Sequence, residues 1–518
     1  MTDKIVAFID IGTNSARLLV VSISPNGAYH MLSRIKDVVR LGEDEYISGV
    51  ARIIPEAIDR LVLVLRRFTD LSRTFGDAEF VIMATSAMRE AVNAQEIIDK
   101  IRRELGLEIQ VVSGKEEARL IHLGVAAGMS LGNDQALFID IGGGSTELIV
   151  GGQYSYSTLE SMRLGAIRIT NQCIKKNFTG ALPPKKQTKM MNRVMTVAIP
   201  ALQRISEHPF TRAVGSSGTT INLAEIAQRL YHAEENSDKL VLQFTDLEKL
   251  FGHLCSLSLE ERRRVPGINP ERADIILAGA AILLAVMGTL KIPVLEISDR
   301  GLREGILMDY LAVMPGTPQS EQMPVKDASV LQLGRYCRLE EDHAKAVQKN
   351  ALSMFDSAKL CGLHNYGAWE RELLANAAWL HDVGDFLSFV GHHQHGEYII
   401  RNTELLGFDQ REIEIMAKIV RYHRKKLPGR KDSEFGSLSL EDRDRVRIMA
   451  IFLRTAELLN RSHAVFVTDV YYSCKGGDVK LSVAAPESSD LTLELMSLAP
   501  EAALFTKVFG KKLSVRRV

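Results

Sequence analysis

One thirteen-residue sequence occurs twice in this chain and constrains its fold more than any other feature. Residues 8–20 read FIDIGTNSARLLV and residues 138–150 read FIDIGGGSTELIV, with eight identical positions. Each copy is a β-branched run that a glycine interrupts and a second apolar run resumes, which predicts two strands joined by a tight turn. Because the same hairpin recurs, the sequence indicates two related domains, each built around one copy.

The segments around both copies alternate strands with helices. Residues 55–75 carry apolar side chains at helical spacing, and residues 79–91 and 210–228 each read as a strand followed by a helix. Such alternation is typical of α/β domains. We therefore predict two α/β domains, at residues 1–128 and 129–313.

The chain changes character after the second domain. Residues 314–324 are rich in proline, glycine and polar residues, which is typical of a linker. The pattern beyond them is mostly helical, and seven of the thirteen histidines fall between positions 343 and 423. A strand pair follows position 466. We predict a helical third domain at residues 314–465 and a small mixed α/β C-terminal region at residues 466–518.

The turn of each repeated hairpin has the composition of a phosphate-binding loop. Glycine with serine or threonine lets several backbone N–H groups point at one anion, and the missing side chain lets a phosphate come close. A single DxG could be an ordinary tight turn, but two copies at corresponding places argue against that interpretation. The candidate phosphate-binding residues are Thr13, Asn14 and Ser15 in the first turn and Gly142, Gly143, Gly144 and Ser145 in the second.

An aspartate precedes each turn, Asp10 in the first copy and Asp140 in the second. A carboxylate would repel a phosphate unless a hard cation such as Mg²⁺ lay between them. The sequence therefore predicts Mg²⁺ at both aspartates. A third glycine turn, VGSSGTTIN at residues 214–222, either closes the same cleft through Gly218 or simply begins a helix with serine and threonine caps.

Composition limits the classes of protein that fit. Apolar residues make up 46% and charged residues 25%, with a formal net charge of +0, so no overall charge points to nucleic acid or a membrane. Five scattered cysteines form no CxxC pair, and the first residues lack the apolar core of a signal peptide, so we expect a cytoplasmic protein. The apolar run at residues 273–288 is short for a membrane span and predicts a buried helix.

Two basic stretches, residues 421–431 and 507–518, have two interpretations. Clustered Lys and Arg would attract a long polyanion, with an affinity that falls as salt rises. The alternative is a solvated helix end and a flexible tail. Nucleic acid is disfavoured as the polyanion because no aromatic residues suited to base stacking interleave with the charges.

Six motifs resemble the exopolyphosphatase / guanosine pentaphosphate phosphohydrolase family in order and spacing, over about residues 4–312. They are IDIGTNS, ATSAMREA, SGKEEARLI, IDIGGGSTE, GSSGTT and ISDRGLREGIL. The resemblance implies two actin-like (ribonuclease H-like) domains, a homodimer, and Mg²⁺-dependent hydrolysis that releases the terminal phosphate of inorganic polyphosphate. The alternatives are a guanosine pentaphosphate 5′-phosphohydrolase, with guanosine penta- or tetraphosphate as a ligand, and a non-catalytic nucleotide-binding regulator.

The resemblance also implies roles for individual residues. Glu117 matches the carboxylate that positions and deprotonates the attacking water, Arg89 matches a phosphate-binding arginine, and Glu147 matches an acidic residue that acts through metal or water. Glu116 is adjacent to Glu117, and neighbouring helix residues point about 100° apart, so only one of the two can face a cleft. The residues alone leave that choice open, and the resemblance selects Glu117.

The motifs WLHDVG, GHHQHGEYII and RYHRKK resemble the HD-type third domain of the longer family members. HD-type phosphohydrolases hold metal through a histidine, a His-Asp pair and a later aspartate. His343 and the pair His381-Asp382 match this pattern, but Glu457 stands where the later aspartate is usual. This departure weighs against an active second metal site, and we expect a structural role or part of a channel instead.

Overall fold

The structure is a computed structural model. It describes residues 3–518 except 44–45, 48–49, 175–177, 234–239, 315–316, 318–322, 425–426, 430, 432, 436–437, 465 and 476–477. The chain divides into two compact units, residues 1–322 and residues 323–518. Strands and helices are interspersed in the first unit, and helices predominate in the second, which confirms the mixed α/β class predicted from the sequence.

Most strands of the first unit belong to two sheets. The strands are β1 (Lys4–Ile11), β2 (Ser15–Ile23), β3 (Tyr29–Val38), β4 (Tyr46–Ile47), β5 (Val50–Ala51), β6 (Ala78–Ala84), β7 (Gln110–Val111), β8 (Ala136–Ile141), β9 (Thr146–Gly151), β10 (Tyr156–Met162), β11 (Arg212–Ser216), β12 (Val241–Gln243) and β13 (Val294–Ile297). One sheet has the order β3-β2-β1-β6-β7 and the other the order β10-β9-β8-β11-β13-β12, while β4 and β5 pair separately.

The sequence repeat is a structural repeat. In the first sheet β1 pairs antiparallel with β2 and parallel with β6. In the second sheet β8 pairs antiparallel with β9 and parallel with β11. Both turns are closed alike, because Gly12 N donates to Ser15 O at 3.0 Å and Gly142 N donates to Ser145 O at 2.9 Å. The two predicted hairpins are therefore confirmed.

The described part of the first unit contains eleven α-helices, which lie between these strands or follow the last of them. They are α1 (Pro55–Arg73), α2 (Ser86–Glu90), α3 (Ala94–Leu105), α4 (Gly114–Ala126), α5 (Ala166–Cys173), α6 (Pro184–Ser206), α7 (Ser217–Tyr231), α8 (Phe244–Ser256), α9 (Leu259–Arg262), α10 (Ile276–Thr289) and α11 (Leu302–Ala312). Helix α10 is buried along nearly its whole length, as its apolar sequence predicted. Within the described ranges, no helix has both the length and the apolar character needed to cross a membrane.

The second unit, in its described residues, is a set of helices with one small sheet. Its elements are α12 (Val325–Tyr336), α13 (Glu341–Leu360), α14 (Ala368–Trp379), α15 (His392–Asn402), α16 (Gln410–Arg421), α17 (Leu440–Leu458), β14 (Asp469–Lys475), β15 (Asp478–Ala484), α18 (Thr492–Phe509) and β16 (Leu513–Arg517). The sheet order is β14-β15-β16. One apolar core includes Phe355 and Phe452 from the helices, Leu481 from the sheet and Phe505 from α18. The C-terminal region is therefore packed into the same core as the preceding helices.

Candidate active site

The turns of the two repeated hairpins line one cleft in the first unit. Its volume is about 680 Å³, including the space open to solvent. The sequence-predicted residues that line it are Asp10, Thr13, Asn14, Ser15, Glu117, Asp140, Gly142, Gly143, Gly144, Ser145 and Gly218. Arg89 and Glu147 do not belong to this lining, but Arg89 hydrogen-bonds to Glu117, and Glu147 accepts from Ser145 and Ser161. The fold thus gathers residues from both copies of the repeat around one cavity.

The two turns approach each other so closely that the second one needs glycine. A Cβ atom on Gly144 would lie 2.6 Å from Ser86 Oγ and 2.7 Å from Thr13 Oγ1, and a Cβ atom on Gly143 would lie 3.0 Å from Thr13 Cβ. At distances below 3.0 Å the neighbouring atoms would have to move. This contact explains why the second turn reads GGG where the first reads GTN.

Backbone amides in both turns are available to bind an anion. Across the described part of the chain, the N–H groups of Thr13, Asn14, Gly143 and Gly144 donate no hydrogen bond within the protein. The side-chain Oδ1 atom of Asn14 is also buried without a partner. Successive unpaired N–H groups form a concave anion-binding site. Two such sites on one cleft suit neighbouring phosphate groups of a single ligand.

Four carboxyl groups lie in and beside the cleft, and burial shifts all of them toward the protonated form. Burial raises the pKa of Asp10 to about 6, and the nearby Asp140 adds to the rise. Burial also raises the pKa of Asp140, although its Oδ2 atom accepts a hydrogen bond of 2.6 Å from Ser216 Oγ. For Glu147, burial first and then the charges of Glu117 and Asp140 raise the pKa well above its usual value. Mutual repulsion of this kind is relieved when a cation binds among the carboxylates.

Glu117 and Arg89 form a pair beside the cleft. Glu117 is on the first turn of α4 and Arg89 is on α2, and Arg89 Nη1 donates to Glu117 Oε2 at 3.0 Å and to Val112 O at 2.9 Å. Burial raises the pKa of Glu117 to about 7, while the Arg89 guanidinium opposes that rise. A carboxylate with this pKa can take a proton from water near neutral pH.

Glu116 is placed differently from its neighbour. Ser113 caps α4 by accepting from the Glu116 N–H, and the Glu116 carboxylate is bound by Arg119 at 2.7 and 2.9 Å. This ion pair lowers the pKa of Glu116. Of the two adjacent glutamates, only Glu117 lines the cleft.

Two cations of the cleft were missed by sequence reasoning. Arg17 is on β2 directly opposite Asp10, and Arg272 is in a 3₁₀ turn at residues 270–272. Burial lowers the pKa of Arg272 to about 10, and the charge of Arg17 adds to that effect. A Cβ atom on Gly218 would lie 2.2 Å from Arg272 Nη2, so the third glycine turn makes room for this guanidinium. In the sequence, the glycine turn that contains Gly218 indicates a close contact, but Arg272 is not part of a recognisable motif.

Another buried arginine, Arg168 on α5, fixes the second turn in place. Its Nε atom donates to Gly144 O at 2.7 Å, and its Nη2 atom donates to Glu90 Oε1 at 2.8 Å. Glu90 is on α2, next to Arg89. Arg168 therefore connects the second phosphate-binding turn to the helix that carries Arg89.

The basic stretch at residues 421–431 is partly neutralised. Arg421 Nη1 lies 3.5 Å from Glu397 Oε2, and Arg424 Nη2 lies 2.6 Å from Glu457 Oε1. These pairs favour a structural role for the two arginines over a polyanion path. Three further basic residues of the stretch lie outside the described part of the chain: Lys425, Lys426 and Arg430.

The second basic stretch, residues 507–518, is not a flexible tail. Helix α18 continues to Phe509, and β16 pairs in parallel with β15. The guanidinium of Arg517 donates to Pro486 O at 2.7 Å. The interpretation of this segment as an unstructured end is therefore wrong.

Comparison with known proteins identifies related sequences over most of the chain. The Ppx/GppA phosphatase family matches residues 19–313. The family's domain III matches residues 325–502. The two matches cover both compact units.

Solved structures agree with this result. The chain is 26% identical to an exopolyphosphatase from Cytophaga hutchinsonii, with a TM-score of 0.54 over 62% of this chain and 99% of that one. It is 28% identical to an exopolyphosphatase-like protein, with a TM-score of 0.52 over 60% of this chain and 98% of that one. The part of this chain that matches each structure, 62% and 60%, is close in length to the first unit.

Proposed function

The chain belongs to the Ppx/GppA phosphatase family, and we propose that it is an exopolyphosphatase, which hydrolyses the terminal phosphoanhydride bond of inorganic polyphosphate and releases orthophosphate. The observation that carries this proposal is the pair of amide-lined turns on one cleft, with Glu117 beside them. Two adjacent anion sites fit successive phosphates of one chain better than a single isolated phosphate. A buried carboxylate next to them supplies a base for water.

The acidic residues of the cleft fit a divalent cation. Asp10 and Glu147 are buried, Asp140 is half-buried, and Glu147 Oε2 has no hydrogen-bond partner. Carboxylate oxygens are the ligands that Mg²⁺ prefers. We assign these three residues to Mg²⁺, which when bound neutralises charge on the non-bridging phosphate oxygens.

Glu117 then acts as the general base. Its carboxylate accepts a proton from a water molecule as the water oxygen attacks the terminal phosphorus. The bond from that phosphorus to the bridging oxygen breaks, so the products are orthophosphate and a chain shorter by one phosphate. Arg89 holds Glu117 in position and donates to phosphate oxygens, while the amides of Thr13, Asn14, Gly143 and Gly144 bind the oxygens on which charge accumulates.

We also propose domain assignments, a cellular location and an oligomeric state for this protein. The two sheets of the first unit correspond to actin-like domains at residues 1–128 and 129–313. The helices at 314–465 correspond to an HD-like domain, followed by the C-terminal region at 466–518. The protein acts in the cytoplasm as a homodimer. The family match and the two sheets of similar topology support the actin-like assignment.

The test compares orthophosphate release from long-chain polyphosphate and from guanosine pentaphosphate, each with and without Mg²⁺. We expect release from polyphosphate that requires Mg²⁺. Release from guanosine pentaphosphate alone would identify a 5′-phosphohydrolase instead. Tight binding of the nucleotide with no release from either substrate would identify a regulator and overturn the proposal.

A further inference from the structure

Two cysteines meet in the second unit, outside the cleft already described. Cys361 directly follows α13, and Cys474 is the last residue but one of β14. A hydrogen bond joins their side chains. Cys361 is half-buried, whereas Cys474 is exposed. The pair therefore consists of two thiols in direct contact, one of which solvent reaches.

Helix α13 and strand β14 lie side by side in matching register. Three hydrogen bonds connect them, and each step advances four residues along the helix and two along the strand. They run from Lys349 Nζ to Thr468 O (2.7 Å), from Ser353 Oγ to Val470 O (2.5 Å) and from Tyr472 N to Ser357 Oγ (2.9 Å). Four helix residues rise about 6.0 Å and two strand residues about 6.6 Å, so the two elements keep pace with each other.

The two cysteines are the next step of this series. Cys361 comes four residues after Ser357, and Cys474 comes two residues after Tyr472. Side chains four residues apart share one helix face, and side chains two residues apart share one strand face. The contact between the thiols is therefore set by the packing of α13 on β14, and the fold itself brings the two sulfur atoms together.

The surroundings of the two thiols suit them to different roles. Burial raises the pKa of Cys361 to about 11, and the hydrogen bond with Cys474 adds to this rise. That is the effect expected when the Cys361 S–H donates to the neighbouring sulfur. Cys361 therefore keeps its proton, and the exposed Cys474 is the sulfur that a small oxidant reaches first.

A lysine lies beside the pair. Lys511 follows the end of α18, and its charge opposes the rise in the pKa of Cys361. Cys474 pairs with Val479 in the sheet, and Val479 N donates to Lys512 O at 3.0 Å, so the turn that carries Lys511 lies next to this end of β14. A nearby cation favours a thiolate over a thiol and so favours oxidation.

We propose that Cys361 and Cys474 are a reversible redox modification site, which hydrogen peroxide converts into a disulfide within one chain. The thiolate of Cys474 attacks one peroxide oxygen, the O–O bond breaks, and the hydroxide that leaves takes up the proton that the thiol had lost. The sulfur of Cys361 then attacks the resulting sulfenic acid, and its proton leaves with the displaced hydroxide as water. Two thiols are thus oxidised by two electrons while one peroxide is reduced to two waters.

This bond would fix the end of α13 to the C-terminal sheet. A disulfide between distant positions restricts the unfolded chain and so favours the folded state. In a reducing compartment such a bond is transient. Because Cys474 is exposed, cellular thiols can reach the bond and reverse it. Oxidation would therefore stabilise the second unit for as long as peroxide is present.

The test maps the bond by mass spectrometry. Full-length protein is reduced, desalted, treated with a slight molar excess of hydrogen peroxide, alkylated and digested with trypsin. Trypsin places the two cysteines in separate peptides, residues 360–371 and 462–475. We expect these peptides to be joined after peroxide and separate again after dithiothreitol. Oxidation of Cys474 to a sulfinic acid without a joined peptide would overturn the proposal, as would a bond between Cys474 residues of two chains.

Matched variants distinguish the roles of the two thiols. In Cys361→Ser we expect no joined peptide, and the sulfenic acid of Cys474 should persist and react with dimedone. Cys474→Ser should give neither product. Cys173→Ser serves as the control and should form the joined peptide as wild type does, because this half-buried cysteine belongs to α5 of the first unit. A joined peptide of wild-type yield that pairs Cys474 with any cysteine other than Cys361 would contradict the proposal.

Thermal unfolding gives a second measurement. Peroxide should raise the unfolding temperature of the second unit by roughly 5–15 °C in wild type and Cys173→Ser, as expected for a new disulfide in a unit of this size. It should not do so in Cys361→Ser, whose reduced form should unfold at the same temperature as reduced wild type. The same peroxide effect in wild type and Cys361→Ser would show that the stabilisation has another origin and overturn the proposal.

Discussion

Arg89 Nη1 lies 3.0 Å from Glu117 Oε2, so a permanent positive charge touches the carboxylate that faces the phosphate cleft. This contact lowers the pKa of Glu117, although burial outweighs it and brings the value to about 7. The pair sets the protonation state of the proposed base, and its effect can be measured.

Removing the Arg89 charge should shift the pH dependence of hydrolysis. The rate rises with pH as Glu117 loses its proton, and Arg89→Gln removes an interaction that favours the ionised form, so the midpoint of kcat/KM moves to higher pH. Arg119→Gln is the matched control, since Arg119 binds Glu116 and Asp309 rather than Glu117. An unchanged midpoint in Arg89→Gln would show that Glu117 is not the group that titrates.

The close approach of the two turns predicts a strict need for glycine. Gly144→Ala places a methyl group 2.7 Å from Thr13 Oγ1 of the first turn and pushes the two turns apart, so we expect kcat/KM to fall roughly 100-fold, as displacements of about 1 Å can cause. Gly252→Ala in α8 is the control, because its new Cβ meets nothing within 4 Å. Wild-type kinetics for Gly144→Ala would mean that the turns do not act together.

Arg272 should contribute to binding more than to chemistry. A buried guanidinium that hydrogen-bonds an anion contributes about 1.5–3 kcal/mol, so Arg272→Ala should raise KM for polyphosphate roughly 10- to 100-fold with a smaller change in kcat. Arg263→Ala, at the exposed residue that directly follows α9 and pairs with Glu260, should leave KM unchanged. If both variants bind polyphosphate like wild type, substrate does not reach Arg272.

The buried carboxylates predict a stability that depends on pH and metal. Asp10 and Glu117 have pKa values of about 6 and about 7 in the folded protein, above their unfolded values, so the folded state binds more protons between about pH 4 and pH 7. Metal-free protein should therefore lose stability as pH rises through this range, by about 3 kcal/mol for each group.

Thermal unfolding with a chelator present checks this prediction. The unfolding temperature of the first unit should fall from pH 5 to pH 8, the fall should be smaller in Glu117→Gln, and Mg²⁺ should restore much of the loss at pH 8. If the unfolding temperature falls equally with pH in wild type and in Glu117→Gln, the result would contradict the buried, protonated state of Glu117.

The features that could be predicted from the sequence are those formed by neighbouring residues and those that occur twice in the chain. The hairpins around Asp10 and Asp140 follow from β-branched runs and a glycine turn, which are features of neighbouring residues. The choice between Glu116 and Glu117 was left open by the residues themselves, because it depends on which face of α4 meets the cleft. Only the resemblance made that choice in advance.

Other parts of the sites depend on contacts between distant segments. Arg272 and Arg168 reach the turns of the cleft through tertiary packing of separate elements, and neither is in a recognisable motif. Cys361 and Cys474 likewise meet only because α13 packs against β14. The flexible-tail alternative for residues 507–518 fails for the same reason, because β16, with Arg517, pairs with β15 and completes a sheet.

The central claim is most directly tested by orthophosphate release from long-chain polyphosphate with Mg²⁺, comparing wild type, Glu117→Gln and Glu116→Gln. Glu117→Gln should lose roughly 10²- to 10⁴-fold in kcat while still binding polyphosphate, as expected for loss of a general base. Glu116→Gln, altered at the adjacent residue that Arg119 holds away from the cleft, should keep nearly full activity. Wild-type turnover by Glu117→Gln would contradict the account.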